Sequence, residues 1–150
     1  MKTEIQVLDK LKLIIINQLG TFFDEEVSLS EVNDLNIKID FPDIDNMRKN
    51  NMFYIQPDYE TLEQLSINSD IANMNCKLFI LCKGAKAEEL IKKAFAYYSA
   101  FYMMLKKNQT LDGFIDFAKI TDMDYYPAVS EIANITAIEV KLELMWSKEF

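Results

Sequence analysis

Apolar and polar positions along this chain fall into two rhythms, one helical and one alternating, and each predicts a set of elements. From Thr3 to Leu19, Ile5, Leu8, Leu11, Ile15 and Leu19 recur at three- and four-residue spacing with Lys12 beside Leu11, which predicts an amphipathic helix. Gly20 stands in the place of its C-cap. NIKIDF, Asn36 to Phe41, alternates as a strand does and ends at Pro42. The polar run Asp43 to Asn51 then leads to Met52–Gln56 before Pro57, so the two strands are expected to form a hairpin with a long exposed loop. Glu60 to Asn68 reads as a further short strand through Leu62 and either Leu65 or Ile67.

Ile71 to Lys83 carries Ala72, Met74, Cys76, Leu78, Ile80 and Cys82 on one face. Its other face begins polar at Asn73, Asn75 and Lys77 and finishes apolar at Phe79 and Leu81. Such a strand passes from half exposed to covered on both sides along its length. After Gly84 the rhythm becomes helical from Lys86 to Lys107, with Leu90/Ile91, Ala94, Tyr98, Phe101 and Leu105 as the predicted buried stripe. Phe95, Tyr97, Tyr102, Met103 and Met104 fall outside it. A helix with that much surplus apolar girth needs a second surface, either elsewhere in its own domain or on a neighbouring subunit.

Two extended segments close the chain, Asp116 to Tyr126 and Asn134 to Ser147, separated by Pro127 and a connector of small residues. In the second, Ile138, Val140, Leu142, Leu144 and Trp146 alternate with Ala137, Glu139, Lys141, Glu143 and Met145. Strands bracketed by two helices without a βαβ rhythm predict an α+β fold. The expectation is one domain over residues 1–150, with a mostly antiparallel sheet of about five to six strands and two main helices on one face.

Composition narrows the function more by exclusion than by signal. Sixteen basic against twenty-four acidic residues give a net charge of −8, the opposite of the basic footprint that grips a phosphate backbone. The chain has no histidine, the commonest general base and metal ligand. Its three glycines stand apart at 20, 84 and 113, so no phosphate loop can be drawn, and GxSxG, CxxC and HExxH are absent. Asp112, Asp116, Asp122 and Asp124 lack the spacing of a calcium loop and read as a solvated acidic edge, with Asp122 and Asp124 guarding against edge pairing. No catalytic residue, cofactor or metal is expected. Tyr97, Tyr98, Phe101 and Tyr102 read as core or subunit contact rather than as a base-stacking platform.

No apolar run approaches the roughly 18 residues of a membrane span, and MKTEIQVLDK lacks the apolar region of a secretory signal, so a cytoplasmic product is expected. Cys76 and Cys82, about 20 Å apart if both lie on one strand, are expected to be buried reduced thiols.

NQTLDG (Asn108 to Gly113), ITDMDYYPAV (Ile120 to Val129) and ITAIEVKLEL (Ile135 to Leu144) together resemble the C-terminal half of tail terminator and tail-completion proteins of long-tailed phages and phage-tail-like particles. In that family an aromatic-rich helix leads into a T-L-x-G turn, an acidic and aromatic strand ending in Tyr-Pro-Ala, and a final I-x-V strand. Asp112 stands where the family often has a second Gly. The N-terminal half is similar in its order of one helix followed by strands. The resemblance implies a homo-oligomeric ring, usually hexameric, that caps the head-proximal end of a tail tube. Its implied partners are the tube protein and neck or sheath proteins, with DNA only as passing cargo. Its implied place is the host cytoplasm during assembly and then the particle.

Within that frame the surplus face at Phe95, Tyr97, Tyr102 and Met104 is the expected subunit interface. Glu139, Lys141 and Glu143 are expected to line the lumen or dock on the tube, and the loop bearing Asp43, Asp45, Arg48 and Lys49 to meet an adjacent ring. Two other roles share the acidity and layout. One is a head–tail neck or completion protein, and the other is a small acidic binding protein of the immunity type that pairs with a basic target. An enzyme would need a concave pocket with titratable residues of shifted pKa.

Overall fold

The computed structural model describes residues 1–127 and 134–150. The final Ala128 and Val129 of the ITDMDYYPAV motif, and the small-residue connector, lie outside the described residues. Helix α1 spans Glu4–Gln18, strand β1 Ile37–Ile39, β2 Asn51–Ser66, β3 Ser69–Lys83, helix α2 Ala87–Lys107, β4 Phe117–Tyr126 and β5 Ile135–Glu149. The five strands form one sheet in the order β1-β2-β3-β5-β4, antiparallel except for β1 beside β2. The fold is α+β, as the hydrophobic rhythm predicts.

Helix α1 starts at a capping box in which the Thr3 hydroxyl accepts from the Gln6 backbone and the Gln6 side chain accepts from the Thr3 N–H. Its buried face is Val7, Leu8, Leu11, Ile14 and Ile15, while Ile5 is exposed. Leu19 rather than Gly20 caps the helix, because the chain tightens into a 3₁₀ turn over Leu19–Phe22 that holds Gly20 inside it.

The expected hairpin between the first two strands does not form. β1 runs parallel to β2, with Ile37 beside Phe53 and Ile39 beside Ile55. Parallel strands need a crossover, and residues 40–50 supply it by folding over the outer sheet face, where Ile44 and Met47 pack with Met52, Tyr54, Phe79, Leu81, Ile135 and Ala137. The loop is therefore anchored rather than fully exposed. The sheet's real hairpin joins β2 to β3 across Ile67 and Asn68. Pro57 does not end β2, since β1 covers only Phe53–Ile55 and a register shift between Pro57 and Tyr59 absorbs the missing donor. The two short strands predicted on either side of Pro57 are thus one long strand.

Both helices cover the same sheet face. The core joins Leu11 and Ile15 of α1, Ala94 and Phe101 of α2, Phe53 and Ile55 of β2, Leu78 and Ile80 of β3, and Val140, Leu142 and Trp146 of β5. The Trp146 indole donates to the Lys2 carbonyl at 3.1 Å, fixing the start of α1 on the end of β5. Cys76 and Cys82 are free and buried on this face, and burial pushes both thiols up to about 12. Phe79 and Leu81 pack under the crossover on the other face, so β3 is covered on both sides at that end.

Candidate interaction surface

The buried stripe of α2 is Leu90, Ala94, Tyr97, Phe101, Met104 and Leu105, with Ala100 beside it. Tyr97 and Met104, expected at a subunit interface, are therefore core residues. Tyr97 is only 2% exposed because its ring packs edge-on against Phe53 at 5.3 Å and Phe23 at 5.6 Å. Its hydroxyl donates to the Ser30 carbonyl at 2.9 Å and accepts from the Ser30 N–H at 3.1 Å. Burial pushes the phenol up to about 12. Leu90, Ala94, Phe101 and Leu105 hold the predicted stripe, while Tyr97 is buried in place of Tyr98, which moves to the flank.

Phe95 and Tyr102 stay outside the core, at 37% and 40% exposure. With Ile91 and half-buried Tyr98 they form a single row at i, i+4, i+7 and i+11 along α2. The row runs beside β4, the last strand of the sheet: the Phe95 ring lies 5.2 Å from that of Tyr125, and Tyr98 meets Tyr102 edge-on at 6.4 Å. Lys106 sits 5.7 Å over the Tyr102 ring, and Met103 extends the apolar surface. This flank joins an aromatic helix face to a sheet edge that has no neighbouring strand among the described residues.

On the outer sheet face Glu139, Lys141 and Glu143 do point away from the helices, but they are not equally available. Glu139 is 7% exposed, held by Lys77 at 3.1 Å and by the Tyr126 hydroxyl at 3.0 Å. Its carboxylate, by hydrogen bonding and charge, holds the Lys77 ammonium above the usual lysine value and raises the Tyr126 phenol. Glu139 is thus an internal ligand of the sheet rather than a free lumen charge. Lys141 lies 3.5 Å from Asp124 and 3.9 Å from Asp122, and Glu143 lies 3.5 Å from Lys119. This part of the face is a ladder of charges across β3, β5 and β4, in which Lys77 stands opposite Lys141 and Asp124 opposite Glu139, with ion pairs reaching the oppositely charged neighbours.

Asp43, Asp45, Arg48 and Lys49 are all exposed on the crossover, and together with Lys38, Asp40 and Phe41 they border a broad hollow beside β1. Burial raises the Tyr54 phenol on its wall. The remaining aspartates are each occupied: Asp116 accepts from the Ser147 hydroxyl at 2.9 Å, and Asp112 accepts from Asn108 Nδ2 at 2.8 Å. Asp112 also has φ +60°, between Leu111 at +49° and Gly113 at +78°. That is a conformation glycine adopts freely, and here the Asp112 N–H donates to Asn108 Oδ1 at 2.7 Å, which offsets its cost. Among the described residues no group of three His, Cys, Asp or Glu could hold a metal ion. Among them no helix is long and apolar enough to cross a membrane.

Sequence reasoning predicts a strand in the far half of the β2–β3 hairpin but misses its exposed apolar surface. Tyr59, Leu62 and Leu65 are all more than half exposed there and Ile67 is 91% exposed. The signal was three aliphatic residues within a stretch of six, otherwise polar, that no amphipathic partner segment accounts for.

The architecture defines an α+β domain with a helix-covered sheet and an aromatic flank at one edge. No protein-family model matches the chain, and no curated protein matches it.

Proposed function

We propose that this chain is a structural subunit of a phage or phage-like tail, assembling into a closed ring that caps the tail tube and ends its growth. The observation that carries the reading is the row Ile91, Phe95, Tyr98 and Tyr102 with Tyr125, an aromatic surface lying along β4, the last strand of the sheet among the described residues. Aromatic clusters of this kind are typical of interface cores, and a ring requires a patch of this sort that meets a different patch on the next copy. The resemblance of the C-terminal segments supports the same reading. So does the left-handed backbone at Asp112, which stands at a position where that family often has glycine.

The work proposed is mechanical, not catalytic. An acidic subunit repels DNA passing through the ring rather than gripping it. Lys141, Asp122, Asp124 and Glu143 form the proposed lumen or tube-docking face, and Asp43, Asp45, Arg48 and Lys49 the contact with an adjacent ring. The test is light scattering and electron microscopy of the protein alone and with purified tube protein. Rings on tube ends are expected, and Phe95→Lys with Tyr102→Lys is expected to abolish them while leaving circular dichroism unchanged. A protein that stays monomeric under both conditions sinks the reading, and a one-to-one complex with a basic partner replaces it with the immunity-type role.

A further inference from the structure

We infer that the distal edge of β2 pairs, antiparallel and in one register, with the same edge of a second copy of this chain. From Gln56 to Ser66 that edge has no neighbouring strand among the described residues, because β1 reaches only Phe53–Ile55. A long unpaired edge carrying apolar side chains is a template for another strand. The opposite edge, β4, is defended by Lys119, Asp122 and Asp124. The distal β2 edge instead carries Tyr59, Leu62 and Leu65, exposed and spaced by Glu60, Thr61, Glu63 and Gln64.

The sequence selects the occupant and the register. A two-fold pairing that keeps both helix layers on one side of the joined sheet must place residues of equal face opposite each other. Between the register shifts at Pro57/Tyr59 and Gln64/Ser66, β2 alternates regularly from Tyr59 to Gln64. Centred on Leu62, the pairing puts Leu62 beside Leu62 of the second copy, Glu60 opposite Gln64 and Thr61 opposite Glu63. Each acid of that run then faces a neutral residue, and Leu62 faces Leu62. Centring on Glu60 or Glu63 sets like charges together, and centring on Thr61 sets Glu60 against Leu62 and Tyr59 against Glu63. Pairing with β4 of a second copy instead brings Asp58, Glu60 and Glu63 to an edge bearing Asp122 and Asp124. Only the Leu62-centred self-pairing matches both charge and hydrophobicity.

The hairpin alone carries this inference, which does not depend on the ring. Leu62→Cys is expected to give a disulfide-linked dimer on mild oxidation, since directly opposed residues of an antiparallel pair lie about 4.5–5.5 Å apart. Ile67→Cys is more exposed but sits five residues from the axis, about 33 Å from its copy at roughly 3.3 Å per residue, and is expected to remain unlinked. Cys76 and Cys82 are buried and do not compete. Leu62→Lys, at a position already 59% exposed, is expected to weaken self-association seen by sedimentation about tenfold or more without changing circular dichroism. Equal linking of both cysteine variants, or no linking of Leu62→Cys, overturns the proposal. Running both cysteine variants on the Phe95→Lys, Tyr102→Lys background separates it from the ring: specific linking there supports the β2 pairing whether or not the ring forms.

Discussion

The two faces of the sheet are built from the same strands and reach opposite chemistry. On the helix side, Phe53, Ile55, Leu78, Ile80, Val140, Leu142 and Trp146 meet two helices, and the Tyr97 hydroxyl and the Trp146 indole that enter there each find a backbone partner. On the outer side the next residues along the same strands are Lys77, Glu139, Lys141 and Glu143, which meet one another across β3 and β5 and extend to Lys119, Asp122 and Asp124 of β4. Only the corner under the crossover, around Met47, Tyr54 and Leu81, is apolar on that side. The difference teaches where change is tolerated. The inner face holds the fold together, while the exposed rungs of the outer face tolerate substitution.

Truncation makes the first and largest separation of the two. Phe101→Ala removes a ring that is 1% exposed between α2 and the sheet, and is expected to cost about 3–5 kcal/mol by chemical denaturation. Lys141→Ala on the outer face is expected to cost less than about 1 kcal/mol, because both of its aspartate partners are themselves substantially exposed. Comparable losses at the two sites would erase the distinction.

Alkali is expected to sharpen it next. The ordinary thiol value of 9.0 rises to about 12 at Cys76 and Cys82, and the ordinary phenol value of 10.0 rises to about 12 at Tyr97, all on the helix side. For an acid whose folded value is raised, the stabilisation is complete below the unfolded value and is lost as pH climbs through the folded one. The thiols alone therefore remove about 3 kcal/mol between pH 8 and pH 10, and the phenol adds to the loss above pH 10. Denaturation midpoints measured from pH 8 to 11 should fall steeply, and Cys76→Ala with Cys82→Ala should flatten the slope below pH 10 whatever it costs at neutral pH. An unchanged slope would mean that these thiols do not titrate on unfolding.

How far the sequence reveals these features depends on whether the deciding contact is local. β5 is legible because Ile138, Val140, Leu142, Leu144 and Trp146 alternate with Glu139, Lys141 and Glu143, and the double covering of β3 is legible in the switch from Asn73 and Lys77 to Phe79 and Leu81. The face of α2 is legible only to within one residue. Tyr97 and Tyr98 are chemically alike, and the choice between them is made by the Ser30 backbone, 67 residues away. The parallel pairing of β1 hides for the same reason, since Ile44 and Met47 reveal their role only when the outer face of β2 is present to receive them. At the candidate site Phe95 and Tyr102 keep their predicted exposure, whereas Met104 and Tyr97 do not. Glu139 reads as one more exposed charge until Lys77 and Tyr126 arrive from two other strands.

That last arrangement gives the smallest and most specific way to probe the contrast, because there a charged group of the outer face is as buried as the inner face. Lys77→Met leaves a Glu139 carboxylate at 7% exposure with only the Tyr126 hydroxyl, and is expected to cost about 1–2 kcal/mol at neutral pH, more than any fully exposed rung of the ladder. Lys77→Met with Glu139→Leu removes both charges at once and is expected to recover most of that loss, since a buried pair replaced by apolar groups leaves nothing unsolvated. The pH dependence has a defined sign. Because Glu139 holds Lys77 above its ordinary 10.5, the pair's contribution is fully present below that value and disappears as pH rises through the higher folded value. The gap between wild type and Lys77→Met should thus stay constant from pH 7 to 9 and close only above about pH 10.5. No gap at neutral pH would show Lys77 to be an ordinary surface lysine, and the ladder to be a row of independent charges.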